Sequence, residues 1–308
     1  MPYDISDKIK IAVTTRALFD LGEEDRIYRE QGLAEYEKYQ IQHEDEMISK
    51  GPSFSIISAL LNLNNIESTK DKVEVILFTR NNGYSVLRVF NSIDKYNLNI
   101  TRGVFTGGAD LEPYLRALNI DLFLTANKDD AQMAIDAGIP SAIMMTNNLP
   151  EYKNDNCNQI RIAFDGDAVI FSEESELIYK KSGLEEFAKN EHEKANEPMN
   201  EGPFAKFLKL IASLQENLGF GQDTIRTALV TARNAPSHER VIRTLREWNV
   251  RIDEMFFLGG IDKVPILKAF GAMIFFDNQQ IYADPASKVL PAGKVPYKSN
   301  SELNRINS

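Results

Sequence analysis

The sequence repeats itself. Ile11-Ala12-Val13-Thr14-Thr15-Arg16 falls on Ile162-Ala163-Phe164-Asp165-Gly166-Asp167 when the numbering is shifted by 151. The same shift brings Gly32-Leu33-Ala34-Glu35-Tyr36 onto Gly183-Leu184-Glu185-Glu186-Phe187, and Gly51-Pro52 onto Gly202-Pro203. After one inserted residue, a shift of 152 brings Val75–Thr79 onto Thr227–Thr231. It also brings Phe105-Thr106-Gly107-Gly108-Ala109-Asp110 onto Phe257-Leu258-Gly259-Gly260-Ile261-Asp262. Two unrelated domains have no reason to hold register over such a span, so residues from about 8 to 130 and from about 159 to 282 read as one plan used twice.

Each copy alternates short apolar runs with amphipathic or charged stretches. In the second copy, Ile160–Phe164, Ile225–Val230, Glu254–Leu258 and Ala272–Phe276 read as strands. Ser175–Lys194, Gly202–Asn217, Ser237–Trp248 and Val264–Phe270 read as helices. This alternation predicts an α/β fold of two tandem Rossmann-like parallel-sheet halves. Residues 1–150 form the first half and 151–290 the second, which carries a small helical cap insert at about 171–224. The turn-rich, apolar-poor stretch Thr146–Asn156 is the expected linker, and 291–308 is a polar tail, frayed or docked.

A net charge of −10 sets the chain against nucleic acid and anionic membrane surfaces. Its one cysteine, Cys157, cannot form an intramolecular disulfide. No apolar run approaches a membrane span, and Met1–Lys10 lacks the apolar stretch of a signal peptide. The expectation is a soluble cytoplasmic protein.

In open parallel sheets, ligands sit beyond the carboxyl ends of the strands. In the second half those ends carry Asp165 with Asp167, Thr231, Lys263 and Asp277. Asp165 and Asp167, two apart on extended backbone, point to one side. A carboxylate attacking a phosphate monoester dianion must first have charge neutralised, and Mg²⁺ held by one or two carboxylates can do so. Asp165 is then the nucleophile, with Asp277 as its partner in holding the metal. Asp167 is the general acid and base, its pKa raised by neighbouring carboxylates. Thr231 donates a hydrogen bond to a phosphoryl oxygen, and Lys263 places a charge on the transition state. A Ca²⁺ loop with Glu176 in twelfth place fails, because Val169 and Ile170 stand where a ligand and the obligatory glycine belong.

The second half resembles the haloacid-dehalogenase-type phosphatases, through Asp165-Gly166-Asp167-Ala168-Val169, Thr231, Lys263 and Asp277. The whole chain resembles the cytosolic 5′-nucleotidase type I family. The shared runs are Arg16-Ala17-Leu18-Phe19-Asp20, Phe105-Thr106-Gly107-Gly108, Ile162–Val169, Thr231-Ala232-Arg233, His238–Arg243 and Phe257-Leu258-Gly259-Gly260. The resemblance implies Mg²⁺-dependent hydrolysis of nucleoside 5′-monophosphates, of AMP or deoxynucleotide type, by a cytoplasmic homo-oligomer with a possible nucleotide effector. It implies metal ligation by Asp165, the backbone carbonyl of Asp167, and Asp277. Phe275-Phe276-Asp277-Asn278-Gln279 departs from the expected pair of acids, leaving Asn278 as a neutral ligand or a holder of metal-bound water. Arg233 is a substrate-binding candidate. A phosphatase for another small ester and a non-catalytic nucleotide-binding regulator are the alternatives.

In the first half, the positions matching Asp165, Asp167, Lys263 and Asp277 are Thr14, Arg16, Leu111 and Thr125, and only Thr79 preserves its counterpart, Thr231. That half is expected to hold no Mg²⁺ and to form no acyl-phosphate. Arg16 and Arg80 of that half are candidates for contact with a nucleotide phosphate or base, either at the active site or at a separate effector site, or else structural ion-pair partners. Phe204, after Gly202-Pro203, is a candidate for base stacking or for the core. Glu191-His192-Glu193 reads as solvated surface.

Overall fold

The computed structural model describes residues 3–146, 159–219 and 224–306. Most of the expected linker, and Cys157, lie outside the described residues. The chain divides into two compact units, Met1–Ile139 and Pro140–Ser308.

The first unit contains β1 (Ile9–Thr14), β2 (Val73–Thr79), β3 (Arg102–Phe105) and β4 (Leu122–Thr125), in the order β3-β2-β1-β4. All its pairings are parallel, with Ile11 opposite both Val75 and Leu122. Every residue of β1 and β2 is buried, which fits their mostly apolar content, and the two charges they bury are paired, Lys10 with Asp121 and Glu74 with Lys8 and Arg102. Between β1 and β2 come the helices Gly22–Gln31, Leu33–Gln42 and Phe54–Asn62.

The second unit contains β5 (Ser141–Met144), β6 (Ile160–Phe164), β7 (Ile225–Thr231), β8 (Glu254–Phe257), β9 (Ile274–Asp277) and β10 (Ala292–Lys294). Their order is β5-β10-β9-β6-β7-β8, parallel except for β5 against β10. By sequence β5 would close the first half. Its edge instead meets the end of the chain, with Gly293 opposite Met144 and Met145 N–H donating to the Ala292 carbonyl at 3.0 Å. Residues assigned to a polar tail thus supply a strand and dock further: Leu303 is fully buried and Ser301 Oγ donates to Glu173 at 2.6 Å.

The segment between β6 and β7 forms the helices Glu174–Glu193 and Ala205–Leu218. A helical segment between the first two strands of the repeat is therefore common to both units. Ala205–Leu218 buries Phe207, Leu208 and Ile211, so it covers the sheet. Glu174–Glu193 buries few residues, among them Glu176, Phe187 and Glu191.

The two units share local backbone as well as strand order. Gly32 separates two helices at φ 87°, ψ −178°, and Gly183 kinks Glu174–Glu193 at φ 81°, ψ −176°. Only glycine occupies that region without strain. Gly51 and Gly202 lie so close to the backbone of Phe19 and Phe171 that a Cβ would clash in either unit.

Candidate active site

The carboxyl ends of β6, β7 and β9 bring together the residues that the motifs select. Asp165 directly follows β6, and its N–H donates to the Phe276 carbonyl at 2.8 Å, which ties it to β9. Asp277 ends β9, and its Oδ1 accepts from Gln279 N–H at 2.8 Å. Lys263, the residue before the helix Val264–Phe270, places Nζ 2.7 Å from Asp165 Oδ1 and 2.7 Å from Asp277 Oδ2. Thr231 ends β7, and its Oγ1 accepts from Arg233 N–H at 3.2 Å. A Cβ on Gly166 would lie 3.3 Å from that hydroxyl, so the glycine between the two aspartates lets β7 come close.

All four side chains are buried, and that governs their charge. Two carboxylates share one ammonium. Burial pushes Asp165 up to about 7 despite Lys263, with Asp277 and Asp167 adding to the rise. Burial also raises Asp277 against the pull of Lys263. For Lys263 burial works downward, but the two aspartates outweigh it and hold the ammonium charged, above its ordinary value.

Asp167 faces a different neighbour. Arg233 Nε donates to Asp167 Oδ2 at 2.9 Å and Arg233 Nη2 to Oδ1 at 2.6 Å, a two-pronged ion pair. The sequence surrounds Asp167 with carboxylates; its direct partner is a guanidinium. Arg233 Nη1 in turn bonds Glu191 Oε2. Glu191 Oε1 accepts from Ser175 Oγ at 2.7 Å and from Arg240 Nη1 at 3.1 Å. Burial opposes charge on Glu191, but Arg233 and Arg240 hold its carboxyl below the usual range. Expected as solvated surface, Glu191 is 1% exposed. Its two arginine partners lie more than forty residues away in sequence, which hid its role.

The 5′-nucleotidase family model matches residues 1–302. The chain belongs to the 5′-nucleotidase family. That membership agrees with the sequence resemblance. Human cytosolic 5′-nucleotidase 1B is 36% identical over 291 residues, which cover 91% of this chain and 47% of that protein. The chain thus spans about half the length of that relative. A solved structure from Pseudomonas aeruginosa UCBPP-PA14, assigned to the universal stress proteins, aligns at a TM-score of 0.35 and 9% identity, covering 76% of this chain and 86% of that one. Among the described residues, no helix is long and apolar enough to cross a membrane.

The remaining sequence candidates are Phe204, Arg16 and Arg80. Phe204 is fully buried, 4.8 Å from the Phe276 ring and 6.4 Å from Phe164, so it offers no face to a base and is a core residue. In the first unit, Arg80 Nε and Nη2 donate to Asp130 Oδ1 at 2.9 and 2.6 Å, with Asp110 at 3.2 Å, and Arg16 pairs with Asp25 at 3.0 Å. Thr14 and Thr125 share a hydrogen bond of 3.4 Å where the second unit has Asp165 and Asp277.

A third cluster surrounds Asn278, whose partners the sequence did not reveal. Asn278 Nδ2 donates to Glu176 Oε2 at 2.8 Å and to Tyr297 Oη at 2.7 Å. The Tyr297 hydroxyl donates to Glu176 Oε1 at 2.8 Å, and Gln279 Nε2 donates to the same oxygen at 3.1 Å. Burial pushes Glu176 up to about 7, with the charge of Asp167 contributing and the Tyr297 and Asn278 hydrogen bonds opposing. Asn278 Oδ1 is buried without a hydrogen-bond partner.

Proposed function

We propose that this chain hydrolyses nucleoside 5′-monophosphates, of AMP or deoxynucleotide type, through a phosphorylated Asp165. The observation that carries the reading is Lys263 Nζ, buried and equidistant from Asp165 and Asp277. Such a cation holds the nucleophile's free oxygen toward the site and remains to stabilise charge on the transferring phosphoryl group. Asp165 forms the bond to phosphorus as the P–O bond to the nucleoside breaks. Asp167 protonates the departing 5′-oxygen, then takes a proton from the water that cleaves the acyl-phosphate, releasing phosphate and restoring Asp165. Thr231 Oγ1 donates to a phosphoryl oxygen.

Because Arg233 occupies both oxygens of Asp167, substrate has to displace one of its two hydrogen bonds before the proton can move. The released guanidinium N–H is then free for a phosphate oxygen. This gives Arg233 two successive partners of like charge.

The residues fit a divalent cation. Among the described residues no three acidic, histidine or cysteine side chains gather to hold an ion by themselves. Mg²⁺, however, takes one or two carboxylates with waters and substrate oxygens. Asp165, Asp277 and the backbone carbonyl of Asp167 would hold it, and the buried acceptor Asn278 Oδ1 has no other partner. When bound, the ion neutralises the phosphate dianion and aligns it with Asp165.

The matched backbone at Gly32 and Gly183 and the matched strand orders support an internal duplication, with chemistry in the second copy only. A cytoplasmic homo-oligomer with a nucleotide effector belongs to the same reading through the family resemblance. The test is phosphate release from nucleoside monophosphates and sugar phosphates, with Mg²⁺ and with EDTA, for wild type and Asp165→Asn. Metal-dependent release from nucleotides, abolished in the variant, is the expected result. Release that survives either change overturns the mechanism.

A further inference from the structure

The fourth motif has lost an acid: Asn278 stands where a second carboxylate is expected beside Asp277. A neutral amide is a poorer metal partner than a carboxylate, and it can turn either its oxygen or its nitrogen toward the site. The surrounding side chains remove that freedom. Both N–H hydrogens of Asn278 are taken, one by Glu176 Oε2 and one by the Tyr297 hydroxyl oxygen. Turning the amide over would set Oδ1 against Glu176 Oε2, two acceptors face to face. The Tyr297 hydroxyl locks the arrangement by donating to Glu176 Oε1 while it accepts from Asn278. Asn278 is 2% exposed and Glu176 4%, so neither has water as an alternative partner.

We infer that Glu176 and Tyr297 are positioning residues that fix Asn278 with Oδ1 as a neutral acceptor for a divalent cation or a cation-bound water. This deepens the metal reading above and rests on it. A buried carbonyl oxygen without a partner costs stability, and a cation or its water removes that cost. Glu176 supplies the carboxylate missing from the motif, one step further out. Tyr297 follows β10, so the segment that looked like a polar tail supplies a partner to Asn278. The neighbouring backbone serves the same end: Val295 N–H donates to the Asp277 carbonyl at 2.9 Å.

The test is calorimetric titration of the metal-stripped full chain with Mg²⁺, and thermal unfolding in EDTA to establish that each variant folds. Tyr297→Phe and Glu176→Gln keep size and shape, and either suffices should the other not fold. Each is expected to weaken Mg²⁺ binding by about tenfold, the usual effect of removing an outer partner of a ligand. Asn278→Ala is expected to weaken it as much, and adding Tyr297→Phe to Asn278→Ala to weaken it no further, because Tyr297 acts through Asn278. Wild type that takes up no Mg²⁺ would overturn the metal reading itself. Tight binding by wild type, Tyr297→Phe and Glu176→Gln alike would overturn the positioning role while leaving that reading intact. Losses that add in the double variant would also overturn it.

Discussion

Asp165→Asn is expected to abolish turnover and stabilise the metal-free protein at the same time. Asp165 is buried and pushed up to about 7, from an ordinary 3.8. Between those values the folded chain binds more protons than the unfolded one, so unfolding free energy falls as pH rises. A raised carboxylate of this kind costs nothing below pH 4 and its full penalty above pH 7. Each tenfold gain in proton affinity corresponds to about 1.4 kcal/mol, so the rise gives about 4 kcal/mol as the upper figure for that penalty at pH 8. Asparagine has the same shape and no charge to desolvate, and Lys263 keeps Asp277 as its partner. Urea unfolding in EDTA should show the two proteins equally stable near pH 4 and the variant more stable by up to about 4 kcal/mol at pH 8. A variant less stable than wild type at pH 8, or a difference that does not change with pH, refutes the reasoning. The converse order, in which Asp165 stabilises the fold through Lys263, would make it a structural ion pair.

Three further substitutions probe the groups around it. Glu176 is also pushed up to about 7, so Glu176→Gln should remove about 3 kcal/mol of the stability lost between pH 4.5 and 7 in EDTA, read from the same unfolding curves. Glu191→Gln leaves Arg233 and Arg240 short of charge, and a loss of about 3–5 kcal/mol is expected in urea unfolding. Because Glu191 no longer fixes the Arg233 guanidinium in place beside Asp167, kcat should fall more than KM rises. Thr231→Val keeps the shape but removes the hydroxyl donor, and kcat should drop about 10²-fold with the melting temperature little changed.

The catalytic strand ends were legible because the strands behind them are buried on both faces. Ile160–Phe164 and Ile274–Asp277 show this as nearly unbroken apolar runs, and each ends abruptly at or just before an acid. Lys263 was legible for a related reason, since Val264-Pro265 marks the start of a helix directly after it. What failed to show was held by contacts between residues far apart in sequence. Glu191 sits in a charged helix and looks solvated until Arg233 and Arg240 are placed against it. Ala292–Lys294 is three residues long, too short for a period, and its strand exists only because β9 and β5 offer it two edges. Phe204 was ambiguous because an aromatic after a Gly-Pro turn suits a base or a core equally well. The ring cluster of Phe164, Phe207 and Phe276 decides for the core.

The central claim is a covalent bond between Asp165 and phosphorus. Rapid quenching during turnover of a nucleoside monophosphate with Mg²⁺, followed by borohydride reduction and peptide mass spectrometry, reads it directly. An acyl-phosphate at Asp165 is reduced to the alcohol, so the peptide containing Ile162–Val169 should carry homoserine at that position. Phosphate release with Asp165 unreduced at every quench time would contradict the account.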